Sequence, residues 1–339
     1  MNITSFYSTV RLKYDPLPPL LTAENLALRY FVRRDVLGEE VGPVNVLWGL
    51  PPALRLLKKQ QEDGTWPPTG EKKHPAVNYR LIETWRQFRC LVEQYGFTRE
   101  HPKCAQTAEY FFSCQTPAGD IRGFLANQYA TYYTGAIFAL LIQAGYAKDE
   151  RTQRGLQWLL DMRQDDQGWT IPILTHKLDG ATTYRLTSEY AEPLEPIRSK
   201  PFSHHWTGMV LRAFAAHADY RQTPAILEAA GLLKSRFFQP DSYTSYQSAE
   251  HWLHFDYPFW WTNLVTALDS LSRIGLSSQD AQIQHALQWL IDHQEESGLW
   301  KTSYLKKHAV EKDTPKARET RLWVSLAICR IFKRFVDQD

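Results

Sequence analysis

The sequence is poor in cysteine, in long apolar runs and in net charge, and each shortage argues against a class of protein. Its four cysteines form no Cys-x-x-Cys pair, so we expect reduced, mostly buried thiols. The longest apolar run, from Ala136 to Ile142, is seven residues and too short to cross a bilayer. No charged, apolar and small-residue leader follows Met1. We therefore expect a cytoplasmic protein that can still touch a membrane surface.

The net charge is only +2, and the basic pairs are scattered along the chain instead of forming one patch. Nucleic acid is therefore not an expected partner. Aromatic residues are abundant, by contrast, at 13% of the chain, with 12 tryptophans against 3 methionines. Tryptophan at this level indicates a structural role or the lining of a pocket.

Almost no segment alternates apolar and polar residues with a period of two, so the sequence predicts an all-helical protein. Proline and glycine mark the helix boundaries, as in a helix that opens at Pro51-Pro52 and stops at Asp63-Gly64. The further predicted helices cover residues 74–95, 104–114, 129–144, 152–163, 203–217, 224–238, 248–274, 279–293 and 317–335.

A short pattern, Gln-x3-Gly-x-Trp, recurs along the chain. It is complete at Gln60–Trp66 and Gln294–Trp300, and one residue shorter at Gln164–Trp169. Degenerate copies begin at Gln115, which keeps the glycine, and at Gln239, which keeps an aromatic residue. These glutamines follow one another at intervals of 55, 49, 75 and 55 residues. Such spacing predicts an array of helical hairpins.

The interval of 75 residues contains an insertion of about 30 residues, at about 172–202, with four prolines. A connection of this length in a compact helical protein is typically a functional lid or a mobile loop. The proline-rich segment 15–19 should not continue a helix, so we expect an N-terminal extension over 1–21 and a single domain over 22–339.

Each copy of the pattern has a structural interpretation. The glutamine amide satisfies backbone groups at the end of one helix and at the start of the next, and the glycine supplies a left-handed turn. The tryptophan buries its ring there and finds an acceptor for its indole NH. We call this arrangement a clasp. None of its residues is chemically reactive, and the acidic pair Asp165-Asp166 belongs to such a turn.

The segments Gly155–Trp169 and Ala286–Trp300, each with Leu-Gln-Trp-Leu before the clasp, resemble the QW motifs of squalene and oxidosqualene cyclases. The repeats of protein prenyltransferase beta subunits and class II diterpene cyclases are similar. The resemblance covers roughly Ala53 to Phe335. It implies an (α/α) barrel, or toroid, of about five or six helical hairpins with inner and outer rings of helices. Fold does not fix chemistry, however.

The catalytic motifs of these families are missing. Neither the Asp-x-Asp-Asp of squalene-hopene cyclases nor the Asp-Cys of oxidosqualene cyclases occurs. The Asp-x-Cys that contributes to the zinc site of prenyltransferases and the DDxxD motif of class I terpene synthases are absent too. The resemblance therefore carries no catalytic residue onto this chain, and we predict neither a metal nor another cofactor.

Two carboxylates remain as candidate catalytic acids. In the helix after His74, an apolar stripe of Val77, Leu81, Trp85, Phe88 and Val92 leaves Tyr79 and Glu83 on the opposite face, toward a cavity. Glu83 is then either an enclosed acid or a carboxylate paired with Arg86 and Gln87.

Asp256 lies in the stretch His251–Trp261, the densest group of aromatic residues. In a continuous helix, Trp252, Asp256 and Phe259 share a face; alternatively, a helix begins at Pro258 and Asp256 caps it. An aspartic acid among tryptophans suits a cyclase that forms carbocations.

Other side chains are candidates for substrate binding, and the same rings have the alternative role of ordinary core. The candidate substrate-binding residues are Tyr79, Tyr132, Tyr133, His204, Trp206, Trp252, His254, Trp260 and Trp261. Three functions are then open. The first is a terpene-cyclase-like enzyme or isoprenoid-binding protein, with Asp256 or Glu83 as the acid. The second is a non-catalytic lipid-binding or protein-interaction module, and the third is a carbohydrate-active barrel that pairs Glu83 with Asp256.

Overall fold

A computed structural model describes residues 12–70, 74–243, 248–305 and 314–338. The α-helices in this part of the chain are α1 (Leu17–Leu21), α2 (Leu26–Phe31), α3 (Pro51–Leu57), α4 (Tyr79–Tyr95), α5 (Pro102–Ser113), α6 (Thr131–Leu141), α7 (Glu150–Asp161), α8 (Gly180–Ser188), α9 (His204–Ala216), α10 (Pro224–Ser235), α11 (Leu264–Ile274), α12 (Ala281–Asp292) and α13 (Pro315–Val336). π-Helical turns extend α2 over Val32–Leu37 and α6 over Ile142–Tyr146. Short 3-10 turns lie at Val44–Leu47, Pro172–His176 and Ala249–Leu253.

The predicted all-helical class is confirmed, and in the described ranges β pairing is limited to isolated bridges. The helix boundaries agree with the expected local chemistry. Proline occupies the first turn of α3, as predicted, and of α5 and α13. The Ser203 hydroxyl caps α9 by accepting from the backbone NH of Trp206 at 3.3 Å. Left-handed glycines, Gly96 and Gly275, end α4 and α11.

Two predictions of secondary structure are wrong. Within segment 15–19, the residues from Leu17 onward are helical, because the prolines of α1 lie in its first turn, where no intrahelical donor is needed. Leu17 and Leu20 of this helix are fully buried. The helix expected over 248–274 is regular only from Leu264, because Asn263 caps α11 through a capping box with Thr266.

The described residues form two compact units. We call Val44–Ala229 the middle unit and the residues up to Pro43 with those from Ala230 onward the terminal unit. At the centre of the middle unit lie α6, buried along its whole length, and α9, buried at nearly every position. These two helices pack against each other so closely that a Cβ on Gly135 would lie 2.7 Å from the Val210 Cα. Helices α5 and α7 are amphipathic; α7 packs against α6, and α5 packs against α4.

In the terminal unit, α13 packs against α11, and a half-buried ion pair joins the two helices. Arg334 pairs with Asp269 and also donates to the Ser272 hydroxyl at 2.9 Å. Burial alone would raise the pKa of Asp269, but Arg273 and Arg334 outweigh it and hold that pKa well below its usual range. Asp269 therefore stays ionised within this helix pair.

The clasps have the structure that the repeat predicted. The Gln60 side-chain amide donates to the carbonyl oxygens of Gly64 (3.1 Å) and of Lys103 (2.9 Å) in the first turn of α5. The Gln115 amide likewise donates to Gly119 and to Arg151 in the first turn of α7, and the Gln294 amide donates to Gly298 and Tyr14. The Gln60 and Gln115 amides therefore join the end of one helix to the start of another, whereas the Gln294 amide joins the end of α12 to the chain just before α1.

The tryptophans of the clasps also find the predicted acceptors. The indole NH groups of Trp66, Trp169 and Trp300 donate to the carbonyl oxygens of Leu56, Leu159 and Leu290, each ten residues earlier. Their backbone NH groups donate to hydroxyls on a later helix, at Thr84, Thr207 and Ser325 respectively. The sequence interpretation did not include these hydroxyls.

Candidate functional site

Aromatic side chains from three helices and one loop meet in the middle unit. We call Trp85, Phe124, Tyr132, Tyr133 and Trp206 the aromatic cluster. Phe124 stacks on Tyr133 with ring centroids 3.6 Å apart, and Trp85 meets the same tyrosine edge to face at 5.3 Å. Tyr132 lies 4.4 Å from Tyr133 and 4.5 Å from Trp206. The five buried rings therefore form one continuous chain of aromatic contacts.

The cluster joins the N-terminal ends of α6 and α9 to the N-terminal half of α4, where Trp85 is the seventh of 17 residues. Tyr132 and Tyr133 are in the first turn of α6, and Trp206 is in the first turn of α9. The loop that carries Phe124 is held against the start of α4 because the Asn78 backbone NH donates to the Gly123 carbonyl at 2.8 Å. A Cβ on Gly123 would lie 2.8 Å from the Asn78 Cβ, so this close approach requires glycine. Burial raises the pKa of Tyr132 well above its usual value, so its ring stays neutral.

Three of the predicted substrate-binding residues thus come together: Tyr132, Tyr133 and Trp206. His204 is also buried, in the first turn of α9. Tyr79 is half-buried at the start of α4, where its hydroxyl accepts from the His74 backbone NH at 3.1 Å.

The sequence interpretation assigned Trp85 only to an apolar stripe and did not consider Phe124. Trp85 also lies under the guanidinium of Arg89, which is 4.7 Å from the ring centroid. Phe124 lies outside any helix, so no periodic pattern marks it. The only signal that the sequence offers is that Phe124 follows closely after Gly119, the glycine of the clasp that begins at Gln115.

Glu83 is a buried, hydrogen-bonded carboxylate on α4. Its Oε1 accepts from the Gln87 side-chain amide at 2.6 Å. Its Oε2 lies 3.4 Å from both the Arg86 guanidinium and the Thr69 hydroxyl. This geometry matches the alternative in which Glu83 is paired with Arg86 and Gln87.

Asp256, in the terminal unit, is an exposed residue of irregular chain. Its side chain is 62% exposed and its Oδ2 lies 3.0 Å from His254 Nε2. The face that we expected it to share with Trp252 and Phe259 does not exist, because α11 begins only at Leu264. The alternative of a helix capped by Asp256 is wrong for the same reason, since Asn263 is the cap.

The remaining predicted residues of this stretch have different surroundings. Trp252 is buried, and its indole donates to the Gln239 carbonyl at 3.0 Å, as a clasp tryptophan does at the other repeats. Trp260 and Trp261 are half-buried and meet edge to face at 5.4 Å. Trp260 and Trp261 therefore lie in irregular chain, whereas Trp252 fixes the fold through its hydrogen bond to Gln239.

The predicted insertion, 172–202, contains the turn Pro172–His176, helix α8 and an extended return. We call it the strap. It is anchored to the rest of the middle unit: the Gln128 amide donates to the Glu192 carbonyl at 3.1 Å, and the Gln128 Oε1 accepts from the Leu194 backbone NH at 3.0 Å. The Ala76 backbone NH donates to the Ser188 carbonyl at 3.0 Å. The strap is thus an ordered part of the fold.

Among the residues with described positions, no three histidine, cysteine or acidic side chains come together in a way that would hold a metal ion. No helix in the same ranges has the length and apolarity to span a membrane. A shallow depression of about 460 Å³ in the terminal unit is lined by Tyr14, the clasp residues 294–297 and Arg321. It is open to solvent and belongs to the last clasp, so we assign it no chemistry.

Comparisons with known proteins give structural likenesses at low identity. No protein family model matches the chain, and no curated protein matches it. The type II terpene cyclase MstE from Scytonema is 13% identical, with complete coverage of both chains and a TM-score of 0.47. A protein from Actinoplanes is 15% identical over 98% of this chain and 99% of its own, with a TM-score of 0.45. A family 88 glycosyl hydrolase from Bacteroides vulgatus is 12% identical over 99% of both chains, with a TM-score of 0.42.

Proposed function

We propose that this protein is terpene-cyclase-like and binds an isoprenoid, or a similarly apolar ligand, against the aromatic cluster. The observation that carries the proposal is that the rings of the aromatic cluster contact one another without a break, from Trp85 and Phe124 through Tyr133 and Tyr132 to Trp206. Tyr132, Tyr133 and Trp206 are nearly enclosed, with exposures of 5%, 7% and 6%. Contiguous aromatic rings of this kind suit an apolar ligand.

A binding measurement with paired variants tests this proposal. Purified protein is titrated with farnesyl and geranylgeranyl diphosphate and with squalene, and tryptophan fluorescence is recorded. Tyr132→Leu removes a ring of the cluster and should weaken binding by about two- to tenfold, since an aromatic contact contributes about 0.5–1.5 kcal/mol. The matched control is Phe138→Leu on the same helix, whose ring faces Gly155 of α7. Its affinity should change less than about twofold.

Equal losses of affinity in the two variants would remove the cluster from the proposal, and binding of none of these ligands would overturn the isoprenoid class. Stacking aromatics also bind sugars, so a soluble oligosaccharide is titrated as a further arm. Saturable binding of the sugar alone would favour the carbohydrate-active alternative.

The non-catalytic binding module is the second candidate, and the contacts of Glu83 favour it. Both oxygens of this carboxylate already accept hydrogen bonds, from Gln87, Arg86 and Thr69. Acid-initiated cyclisation by Asp256 or Glu83 stays a prediction. Mass spectrometry of products from wild type, Asp256→Asn and Glu83→Gln decides between the two: a product lost in either variant supports the enzyme, whereas tight binding without any product supports the module.

A further inference from the structure

The strap has two firmly held ends. At its start, Ile171, Pro172, Ile173 and Thr175 are buried. At its end, the Gln164 side-chain amide donates to the carbonyl oxygens of Ile197 and Lys200, both at 2.9 Å. The Ile197 backbone NH donates to the Thr175 hydroxyl at 3.0 Å, so the two ends also bind each other. The base of the strap is therefore part of the core of the middle unit.

The middle span of the strap, residues 177–195, is packed quite differently. Leu186 and Ser188 are the buried residues of α8, and Tyr184 and Tyr190 are 57% and 74% exposed. Segments with few buried apolar contacts open locally at a lower free energy than the whole fold. The middle span is thus attached to the body mainly by a small set of polar contacts.

Those contacts are concentrated at two points. At the first, Gln128 both donates to and accepts from the strap backbone, the Asn127 amide donates to the Ala191 carbonyl at 3.0 Å, and the Tyr129 hydroxyl donates to Glu195 at 2.7 Å. At the second, the Ser188 hydroxyl lies 2.8 Å from His74 Nδ1. Gln128 is the only one of these side chains with two bonds to the span among the contacts that the structure describes.

Both attachment points lie before helices that carry the aromatic cluster. Residues 127–129 lead into α6, with Tyr132 and Tyr133 in its first turn, and His74 lies five residues before α4. The strap itself ends one residue before the cap of α9, the helix of Trp206. The middle span is therefore attached at the end of the middle unit where the cluster lies.

We propose that residues 177–195 form a lid over the aromatic cluster, with Gln128 as its latch. The span opens while the base and helices α4, α6 and α9 stay folded, and opening admits the ligand. This inference rests on the proposed binding function for its purpose, but the opening itself is a property of the fold that can be measured without a ligand.

Native-state hydrogen exchange measures the opening. The amides of Leu194 and Ala76 report on the two attachment points, and amides within α6 report on the body. Gln128→Ala removes two hydrogen bonds and should speed exchange of the Leu194 amide by about ten- to a hundredfold, with α6 unchanged. Gln115→Ala is the matched control, since its amide makes two bonds within the body. In this control, the exchange rates of the strap amides relative to those of the α6 amides should be the same as in wild type.

Stopped-flow fluorescence with geranylgeranyl diphosphate measures the gating. Gln128→Ala should raise the association rate constant by about tenfold, whereas Gln115→Ala should not. Exchange of the strap amides only together with α6, or an association rate unaffected by Gln128→Ala despite binding, overturns the lid. A chain that binds no probe but shows local opening overturns the proposed function and retains the movable lid.

Discussion

The clasps at Gln60 and Gln164 both begin with a glutamine whose side-chain amide donates hydrogen bonds, but the two amides bind different segments of the chain. The Gln60 amide reaches the first turn of the next helix in the chain, α5. The Gln164 amide reaches the returning end of the strap instead. The third clasp also has one residue fewer, and its left-handed residue is Gln167 (φ 76°) where the first clasp uses Gly64 (φ 80°). The clasp at Gln60 thus closes a helical hairpin, whereas the clasp at Gln164 anchors the inserted strap.

The glycine of the first clasp should be the most sensitive position. A Cβ on Gly64 would lie 2.5 Å from the backbone carbon of Gln106 in α5, and its φ is left-handed. Gly64→Ala therefore combines a backbone clash with the left-handed penalty and should cost about 2–5 kcal/mol. Gly70→Ala is the control, since Gly70 has φ +86° but no neighbour within 4 Å among the residues that the structure describes. It should cost only about 1–2 kcal/mol.

Urea unfolding of the two variants measures both costs. A loss at Gly64 no greater than that at Gly70 would show that the close approach to α5 contributes nothing, and the first clasp would then be an ordinary turn.

Substitution of Gln60 should mainly lower the free energy of unfolding, whereas substitution of Gln164 should mainly increase local opening. Gln60→Ala removes bonds to two carbonyls and to the Thr107 hydroxyl, and should lower the free energy of unfolding by about 2 kcal/mol. Gln164→Ala should lower it less and should chiefly speed hydrogen exchange of the Ile197 amide. The measurement is urea unfolding together with exchange on both variants. Similar profiles would contradict the distinction between the two clasps.

The regular parts of this fold were predictable because each uses local chemistry. Gln60, Gly64 and Trp66 satisfy one helix junction, and a repeat of the same letters implies a repeat of the same junction. The hydroxyls Thr84, Thr207 and Ser325 were missed because they lie at varying distances along the chain from the tryptophan that they bind. The helix over 248–274 was predicted wrongly because apolar residues of irregular chain, such as Phe259 and Trp260, continue the pattern of α11.

The candidate site was predictable only in part. Trp206 comes just after a helix start that the cap residue Ser203 marks, whereas α6, with Tyr132 and Tyr133, begins after Ala130 without a capping side chain. The pairing of Glu83 with Gln87 was open until rotamers were known, since Arg86 and Gln87 are the neighbours expected on any helix surface. Asp256 was misjudged because its enclosure depended on a helix that is absent.

The smallest expected effect concerns the left-handed residue of the third clasp. Gln167 carries the left-handed penalty of about 1–2 kcal/mol, so Gln167→Gly removes it and adds about 0.5–1 kcal/mol of chain entropy on unfolding. The net result should be a gain of about 0.5 kcal/mol in the free energy of unfolding. Glu62→Gly in the first clasp, at an exposed residue outside the left-handed region, should instead lose about 0.5–1 kcal/mol. Urea midpoints that move in the same direction for both variants would mean that the left-handed backbone of Gln167, the residue before Gly168, is not strained. The shortened clasp would then be equivalent to the complete one.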